Sequence, residues 1–169
     1  EKGLDAVIVS PTRVFGPVLL GEPASITQLI SKYTKGKWRI IPGDGSKIGN
    51  YVFVDDVVKG HILAMENGVK GGTYILGGEN HSYNDFFKIL KEESGLNYRL
   101  IKTNVGLQLI YAHINTFFAI LRNKKPAITA KWVHRFKYHW EVSPNKAVEE
   151  LQFKITPLRE GIKKTLNSL

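Results

Sequence analysis

The chain reads Asp5-Ala6-Val7-Ile8-Val9-Ser10-Pro11-Thr12-Arg13-Val14-Phe15-Gly16-Pro17 near its start, and this stretch decides the fold. Its first part is a nearly continuous apolar run, which is typical of a strand covered on both faces of a sheet. Ser10 and Pro11 end the run, and a loop rich in Gly and Pro continues to Pro23. The stretch therefore predicts a buried strand that opens into a loop.

Strands and helices alternate along the rest of the chain. Further strands are predicted at Trp38 to Ile41, Tyr51 to Val54, Thr73 to Leu76 (a second buried strand) and Tyr98 to Lys102. Helices are predicted over 24–35, from Asp55 or Asp56 to Asn67, from Ser82 to Gly95, and over 104–122, 129–138, 143–151 and 157–168. This alternation predicts an α/β layer structure with a helical C-terminal extension.

No cysteine occurs among the 169 residues, of which 43% are hydrophobic and 23% charged. This composition suits one domain, or part of a larger one, and excludes a disulfide-stapled scaffold, a thiolate zinc site and a cysteine nucleophile. The histidines lack zinc-binding spacing, so no metal site is expected. The adjacent Asp55 and Asp56 are interpreted as a helix cap rather than a metal pair, because neighbouring side chains diverge.

Positive charge is concentrated in the second half of the chain. The net charge is +9, with 24 Lys and Arg against 15 Asp and Glu. Between 122 and 140, basic residues interleave with aromatic ones, a pattern also found on nucleic-acid-binding surfaces. An amphipathic helix with a solvated basic face explains the same pattern, and we favour it. A non-catalytic module that uses this region for an anionic partner is kept as the alternative function.

The longest apolar run, from Val105 to Leu121, is interrupted by polar residues. A membrane-spanning helix needs ~20 mostly apolar residues, so this run predicts a buried or partner-facing helix and no membrane span. The charged start at Glu1 and Lys2 is unlike a signal peptide. We therefore expect a cytoplasmic protein, and a homodimer is compatible with the sequence.

Two kinds of motif resemble dehydrogenase signatures without the context that those signatures need. The glycines at 68–72 precede a strand and those at 43–49 lie between two strands, whereas a dinucleotide fingerprint follows a strand and opens a helix. In the two Tyr-x-x-x-Lys matches, Gly36 ends the helix between Tyr33 and Lys37, and Tyr98 and Lys102 fall on a predicted strand. Four strand residues span roughly 13 Å, too far for a proton-transfer pair.

A set of motifs in a fixed order carries a resemblance to a known family. They are Val9 to Pro17, Gly43-Asp44-Gly45-Ser46, Tyr51 to His61, Thr73 to Asn80, Ser143 to Ala147 and Thr156 to Gly161. Together they resemble the extended short-chain dehydrogenase/reductases, the NAD-dependent epimerase/dehydratase family, with the nearest likeness to its dihydroflavonol reductase-like branch.

The resemblance implies the C-terminal part of a Rossmann-type NAD(P)-binding fold with a mostly helical substrate-binding subdomain. Strands near 5–9 and 73–76 would belong to the parallel sheet, and 18–54 and 98–169 would mainly form the subdomain. Pro11, Thr12 and Val14 would line the nicotinamide end of an NAD or NADP site. The substrate-facing residues would be Arg13, Phe15, Gly16, Asn50 and Tyr51, although core packing explains Phe15 and Tyr51 equally well.

The family's glycine fingerprint and working Tyr-x-x-x-Lys pair lie upstream of the matched segment, so no catalytic residue is expected within this chain. Met65 is the only methionine and the chain opens at Glu1, which agrees with a fragment that is inactive alone. Nucleotide-sugar enzymes often carry an arginine just before the Tyr-Val-Phe-Val-like strand, where this chain has Ile48-Gly49-Asn50. That departure favours a reductase acting on a small carbinol or carbonyl substrate.

Overall fold

We describe the protein from a computed structural model that covers residues 5–17, 23–121 and 133–169. The strands of this part of the chain are β1 (Ile8–Pro11), β2 (Arg13–Phe15), β3 (Ile40–Pro42), β4 (Ile48–Phe53), β5 (Thr73–Leu76), β6 (Glu79–Ser82) and β7 (Ile101–Thr103). Its α-helices are α1 (Ser25–Thr34), α2 (Val54–Asn67), α3 (Tyr83–Ser94), α4 (Val105–Leu121), α5 (Asn145–Leu151) and α6 (Leu158–Leu166).

Three small sheets connect the described strands. β1 pairs in parallel with β5, with Val9 opposite Tyr74. β4 lies between β2, to which it is parallel, and β6, to which it is antiparallel. β3 pairs in parallel with β7. Helices interspersed with parallel strand pairs confirm the predicted α/β class. The assignment of 18–54 and 98–169 to a substrate subdomain stays a prediction.

Within the described residues, the β1–β5 sheet is covered on one face and open on the other. The prediction that β1 is buried on both faces is therefore wrong for this part of the chain. β1 begins at Ile8 rather than at Asp5, and Ile8 is 59% exposed. Along β5, exposed and buried residues alternate, with Tyr74 and Leu76 facing the core. α2 and α5 pack against this sheet from the buried side. Two strands with helices on one side leave the opposite face open.

The core divides into two clusters on opposite faces of the β2–β4 pair. One cluster surrounds Phe15, Tyr51 and Phe53 and includes the apolar faces of α1, α3 and α6. The other contains Val52, with Val14 packed against it, and the buried residues of α2, β5 and α5. Because successive strand side chains point to opposite faces, these two short strands supply both clusters.

The ends of α3 agree with the sequence prediction. Ser82 caps the helix, its hydroxyl accepting a hydrogen bond from the Asp85 backbone N–H at 3.1 Å. The Asp85 carboxylate in turn accepts from the Ser82 backbone N–H at 3.3 Å, which completes a capping box. Gly95 follows the helix with a φ of 68°, a left-handed conformation that glycine adopts without a Cβ clash.

The predicted cap of α2 is wrong. The helix begins at Val54, and its N-cap position, Phe53, makes no side-chain capping hydrogen bond. Asp56 is instead buried in the first turn, where its carboxylate accepts hydrogen bonds from the backbone N–H and the hydroxyl of Thr156, at 2.7 and 2.8 Å. The Asp56 carboxylate therefore binds a residue 100 positions away in sequence rather than capping the helix.

The α4 helix is largely exposed along one side. Ala112 is fully buried, whereas Leu107, Ile110, Tyr111, Ile114 and Phe117 are each more than half exposed. Across the described residues, no helix has the length and apolar character to cross a membrane. The helix predicted over 129–138 lies partly outside the described residues. Within them, a short 3-10 turn covers Arg135–Lys137 and the chain is extended at Tyr138.

Candidate functional site

Asn50 stands at the centre of the region that contains the predicted site residues. Its side chain is 1% exposed, and its amide Nδ2 donates to the carbonyl of Gly78 at 2.8 Å and to Asn80 Oδ1 at 2.9 Å. Its Oδ1 accepts from the Gly78 backbone N–H at 2.8 Å and from the Thr12 hydroxyl at 2.7 Å. The amide therefore fixes the start of β2 and the turn between β5 and β6 against β4.

The residues predicted for the cofactor lie at the carboxyl end of β1 and in β2. Pro11 is exposed and lies opposite Leu76 of β5. Thr12 donates its backbone N–H to the Leu76 carbonyl at 3.2 Å, which continues the pairing for one residue beyond β1. Val14 is half-buried against the cluster that contains Val52. These three side chains carry no charge, and the backbone N–H and the hydroxyl of Thr12 both donate within the protein.

Arg13 points to the opposite face of β2. Its Nη1 donates to the hydroxyl of Tyr83 at 2.9 Å and to that of Tyr51 at 3.5 Å. The guanidinium carbon also lies 5.6 Å from the centroid of the Tyr51 ring and 5.4 Å from that of the Tyr83 ring. The half-buried cation is thus held by two aromatic residues, one from β4 and one from the start of α3.

Both tyrosines remain neutral phenols at physiological pH. Burial raises the pKa of Tyr51 far above its ordinary value, and the neighbouring Tyr83 raises it further. Burial also raises the pKa of Tyr83, although the Arg13 guanidinium opposes this shift. Neither phenol therefore supplies a negative charge to the cation that it holds.

Phe15 and Gly16 turn away from this region and into the core. Phe15 is 1% exposed and meets Phe53 edge-on, with ring centroids 5.8 Å apart. Gly16 has a φ of 153°, and a Cβ there would lie 2.4 Å from Val54 Cγ1. Its backbone N–H donates to Thr27 of α1 at 3.1 Å, so the glycine allows β2 to approach both α1 and α2 closely.

The predicted residues thus form two groups on the two faces of the β2–β4 pair. Thr12 and Asn50 are joined on one face, with Val14 further along it, and Arg13 and Tyr51 are joined on the other. Tyr51 is 1% exposed and stacks on Phe86 of α3 with centroids 5.0 Å apart, so it also has the core role that the sequence left open. Their assignment to cofactor or substrate stays a prediction.

Sequence reasoning missed two residues of this region, Gly49 and Tyr83. A Cβ at Gly49 would lie 2.3 Å from Arg13 Nη1, so the missing side chain makes room for the guanidinium. Tyr83 is 70 residues from Arg13 in sequence, and its contact depends on the antiparallel pairing of β6 with β4. The only signal in the sequence is its place directly after the cap of α3.

The two Tyr-x-x-x-Lys matches have other roles in the structure. Tyr33 is buried and donates its hydroxyl to the Leu96 carbonyl at 2.8 Å, and Gly36 follows with a φ of 69°. The Tyr98 ring packs edge-on against Tyr33. The guanidinium carbon of Arg39 lies over the Tyr98 ring, 3.7 Å from the ring centroid. Among the residues that the structure covers, no group of three His, Asp or Glu could hold a metal ion.

Comparison with known proteins shows what this chain is similar to. Residues 1–77 match the model of the NAD dependent epimerase/dehydratase family. Over 175 residues the chain is 29% identical to short-chain dehydrogenase/reductase family 42E member 1 of Bos taurus, a match that covers 94% of this chain and 43% of the bovine protein. The chain thus spans less than half the length of that relative.

Solved structures that resemble the fold include the following two. The crystal structure of gox2253 is 29% identical, with a TM-score of 0.76 over 99% of this chain and 50% of that one. UDP-glucuronic acid 4-epimerase from Bacillus cereus, solved in complex with NAD, has a TM-score of 0.67 over 98% of this chain and 44% of that one. At 20% identity the epimerase supports the fold alone.

Proposed function

We propose that this chain is the C-terminal, substrate-binding part of an NAD(P)-dependent oxidoreductase or epimerase of the extended short-chain dehydrogenase/reductase superfamily. The reaction is hydride transfer between the nicotinamide ring and a carbinol or carbonyl carbon. The finer assignment is to a reductase of the dihydroflavonol reductase-like type. We place the protein in the cytoplasm as an enzyme for a small-molecule substrate, and a homodimer is compatible with its sequence.

The observation that carries this proposal is the position of Pro11 and Thr12. Pro11 is the last residue of β1, whose parallel pairing with β5 ends at Pro11 and Leu76, and Thr12 follows it directly. Ligands of open α/β sheets bind at the carboxyl ends of the strands. The segment at Pro11 and Thr12 is therefore where a dinucleotide would bind. The relatives and solved structures that resemble the chain have names or bound molecules that agree with a dinucleotide-dependent enzyme.

Within the proposed enzyme, this chain positions the ring end of the cofactor and the substrate. The NAD or NADP supplies the hydride chemistry, and the protein supplies binding and orientation. Pro11, Thr12 and Val14 would line the nicotinamide end, and Thr12 is held in place there by the hydrogen bonds of its hydroxyl to Asn50 and of its backbone N–H to Leu76. Arg13 faces the substrate from the other side of β2. The acid/base tyrosine and its lysine are proposed to lie upstream of Glu1.

The test is made on the full-length protein that contains this chain. Cofactor binding is measured with NAD and NADP by calorimetry, and oxidation of NAD(P)H is followed by the absorbance of the reduced ring with a panel of aldehydes and ketones. We expect one cofactor to bind and at least one carbonyl to be reduced, whereas the 169-residue chain alone is inactive. A full-length protein that binds neither cofactor contradicts the proposal.

The alternative is a non-catalytic module that binds an anionic partner through residues 122–140. Its support is compositional, since six Lys and Arg occur from 122 to 137 without an acidic residue. Most of this segment lies outside the described residues, so the alternative has no geometric support. Titration with nucleic acid at two salt concentrations tests it, because phosphate contacts make affinity fall steeply as salt rises. Absent or salt-insensitive binding rejects it.

A further inference from the structure

The α4 helix is apolar on two opposite sides, and the described residues cover only one of them. Its 17 residues include no Lys, Arg, Asp or Glu. On the inner side, Ala112 is buried in the cluster around Phe15, and Val105 and Leu109 pack against that cluster. A helix that is apolar all round is normally buried all round, so the outer side of α4 needs a further partner.

The outer side carries large apolar side chains in one row. Leu107, Ile110, Tyr111 and Ile114, which we call the α4 stripe, occur at i, i+3, i+4 and i+7 and therefore share one side of the helix. Their exposed fractions are 66%, 58%, 57% and 51%. A contiguous apolar patch of this kind marks a site of interaction with a protein or a membrane.

The segments that adjoin α4 are basic and contain no acidic residue. α4 follows β7 directly, and β7 pairs with β3. Residues 24–42, which include α1 and β3, and residues 95–121, which include β7 and α4, hold no Asp or Glu. Their basic residues are Lys32, Lys35, Lys37, Arg39, Arg99 and Lys102, all exposed except the half-buried Arg39. This charge favours an anionic partner for the surface around the α4 stripe.

The charge also decides between the possible occupants of the stripe. A second copy of the chain would place the same positive surface against itself, because a two-fold interface pairs a patch with its own copy. The upstream part of the proposed enzyme continues the β1–β5 sheet, which packs on the cluster around Val52, whereas α4 packs on the cluster around Phe15. An anionic bilayer surface matches both features, since it accepts apolar side chains at its headgroup boundary and attracts Lys and Arg.

We propose that α4 is an interfacial membrane-binding helix that lies flat on an anionic phospholipid surface. The α4 stripe enters the boundary between headgroups and acyl chains, and the hydroxyl of Tyr111 stays at the level of the headgroups. A helix of 17 residues is about 25 Å long, less than the ~30 Å of a bilayer core, and the inner side of α4 remains on the protein. The helix therefore rests on the membrane and does not cross it. This inference goes beyond the proposed function and involves no cofactor-binding or substrate-binding residue.

The experiment measures binding of the full-length protein to lipid vesicles by co-sedimentation, without cofactor. One set of vesicles contains phosphatidylcholine alone, and in the other set phosphatidylserine replaces part of it. We expect the protein to bind the phosphatidylserine vesicles at least about tenfold more tightly at low salt. The difference should shrink as salt rises, because salt screens the attraction between Lys or Arg and the headgroups.

A double variant tests the apolar part of the surface. Leu107→Gln/Ile110→Gln should weaken vesicle binding at least about tenfold, since it removes two apolar side chains from the boundary region. The matched control is Ile62→Gln/Met65→Gln, which also changes two exposed apolar residues three positions apart, but on α2. The control should bind vesicles as the wild type does. Circular dichroism checks that both variants keep the fold.

A second pair of variants tests the basic part. Lys37→Gln/Lys102→Gln should weaken binding to the phosphatidylserine vesicles and leave binding to phosphatidylcholine vesicles unchanged. Lys59→Gln/Lys70→Gln removes the same charge from exposed positions in and after α2, away from α4, and should have no such effect.

The inference is overturned if phosphatidylserine vesicles are not bound, if both kinds of vesicle are bound equally, or if Leu107→Gln/Ile110→Gln binds as tightly as wild type. Sedimentation velocity without lipid covers the alternative occupant. If the wild type binds no vesicles but is a larger assembly that dissociates in this variant, the α4 stripe contacts a second copy and the inference is wrong. Failure to bind NAD or NADP contradicts the proposed function instead and leaves vesicle binding as it is, so the two failures are distinguishable.

Discussion

At the scale of one residue, the buried amide of Asn50 connects β4 to two other segments of the chain by hydrogen bonds. Both ends of its side chain are used, toward Thr12, Gly78 and Asn80, and it is 1% exposed. Its position before an apolar strand indicates neither the burial nor the partners, which lie 38, 28 and 30 residues away. The structure shows a structural role for Asn50, and its substrate-facing role stays a prediction.

Asn50→Ala should lower the free energy of unfolding by about 1–3 kcal/mol, because it leaves the buried N–H and C=O of Gly78 without their side-chain partner. Urea denaturation of the full-length protein measures the change. The matched control is Asn80→Ala: Asn80 shares the network but is exposed, so water replaces its contacts and the loss should be smaller. Equal losses in the two variants would contradict this account.

Asp56 supports a second prediction at this scale. Its buried carboxylate accepts the backbone N–H and the hydroxyl of Thr156, which joins the start of α2 to the segment before α6. Asp56→Ala should therefore destabilise the protein by about 1–3 kcal/mol through the unsatisfied Thr156 N–H. Asp55→Ala is the control, since Asp55 is exposed in the same helical turn. Thermal unfolding of both variants tests this prediction. Equal losses would indicate that Asp56 acts only as an ordinary acidic residue at the helix start.

At the scale of the element, α3 is the part of the chain whose local sequence is sufficient to fix its limits. The reciprocal hydrogen bonds of Ser82 and Asp85 satisfy two backbone N–H groups at its start, and Gly95 provides the left-handed residue at its end. β1 is the opposite case. Its apolar run predicts burial on two faces, but burial of a strand depends on which other elements cover it, and Ile8 is exposed here.

The capping box makes a pH prediction for α3. The Ser82 hydroxyl hydrogen bond lowers the pKa of Asp85 below its ordinary value. A carboxyl whose pKa is lower in the folded state stabilises the fold above the unfolded-state pKa, near pH ~4, and loses this contribution as the pH falls through the folded-state value. The stability difference between wild type and Asp85→Asn should thus be constant near neutral pH and shrink below pH ~4.

Urea unfolding from pH ~3 to ~7 checks this dependence. Ser82→Ala should cost about 0.5–2 kcal/mol at neutral pH, as loss of an N-cap does. In the Ser82→Ala background, replacement of Asp85 should have a weaker dependence on acid, because the hydrogen bond that lowers the pKa is gone. A difference that grows on acidification would contradict the sign of the shift.

At the scale of the whole molecule, the distribution of exposed apolar surface is the main consequence of the fold. Ile8 and Ile75 lie on the open side of the β1–β5 sheet, 59% and 36% exposed. In the proposed full-length enzyme, further strands and helices cover this side, as parallel sheets require. The backbone amides of β1 should therefore exchange with deuterium more slowly in the full-length protein than in the 169-residue chain. Amides of α3 serve as the internal control, and equal rates for β1 in both proteins would contradict the proposed continuation of the sheet.

The sequence by itself determined the α/β class, the limits of α3 and the family resemblance, because these follow from local periodicity, caps and motifs in a fixed order. It missed two strands, β2, which lies in a predicted loop, and β6. Only the tertiary structure decided that Asp56 pairs with Thr156 rather than capping α2, that Asn50 joins Thr12 to Gly78, and that Arg13 occupies the space over Gly49. Each of these contacts depends on register between β4 and its neighbours or on segments far apart in the chain. Register assigns a side chain to one face of a sheet or the other, and in these short strands it separates Thr12 from Arg13.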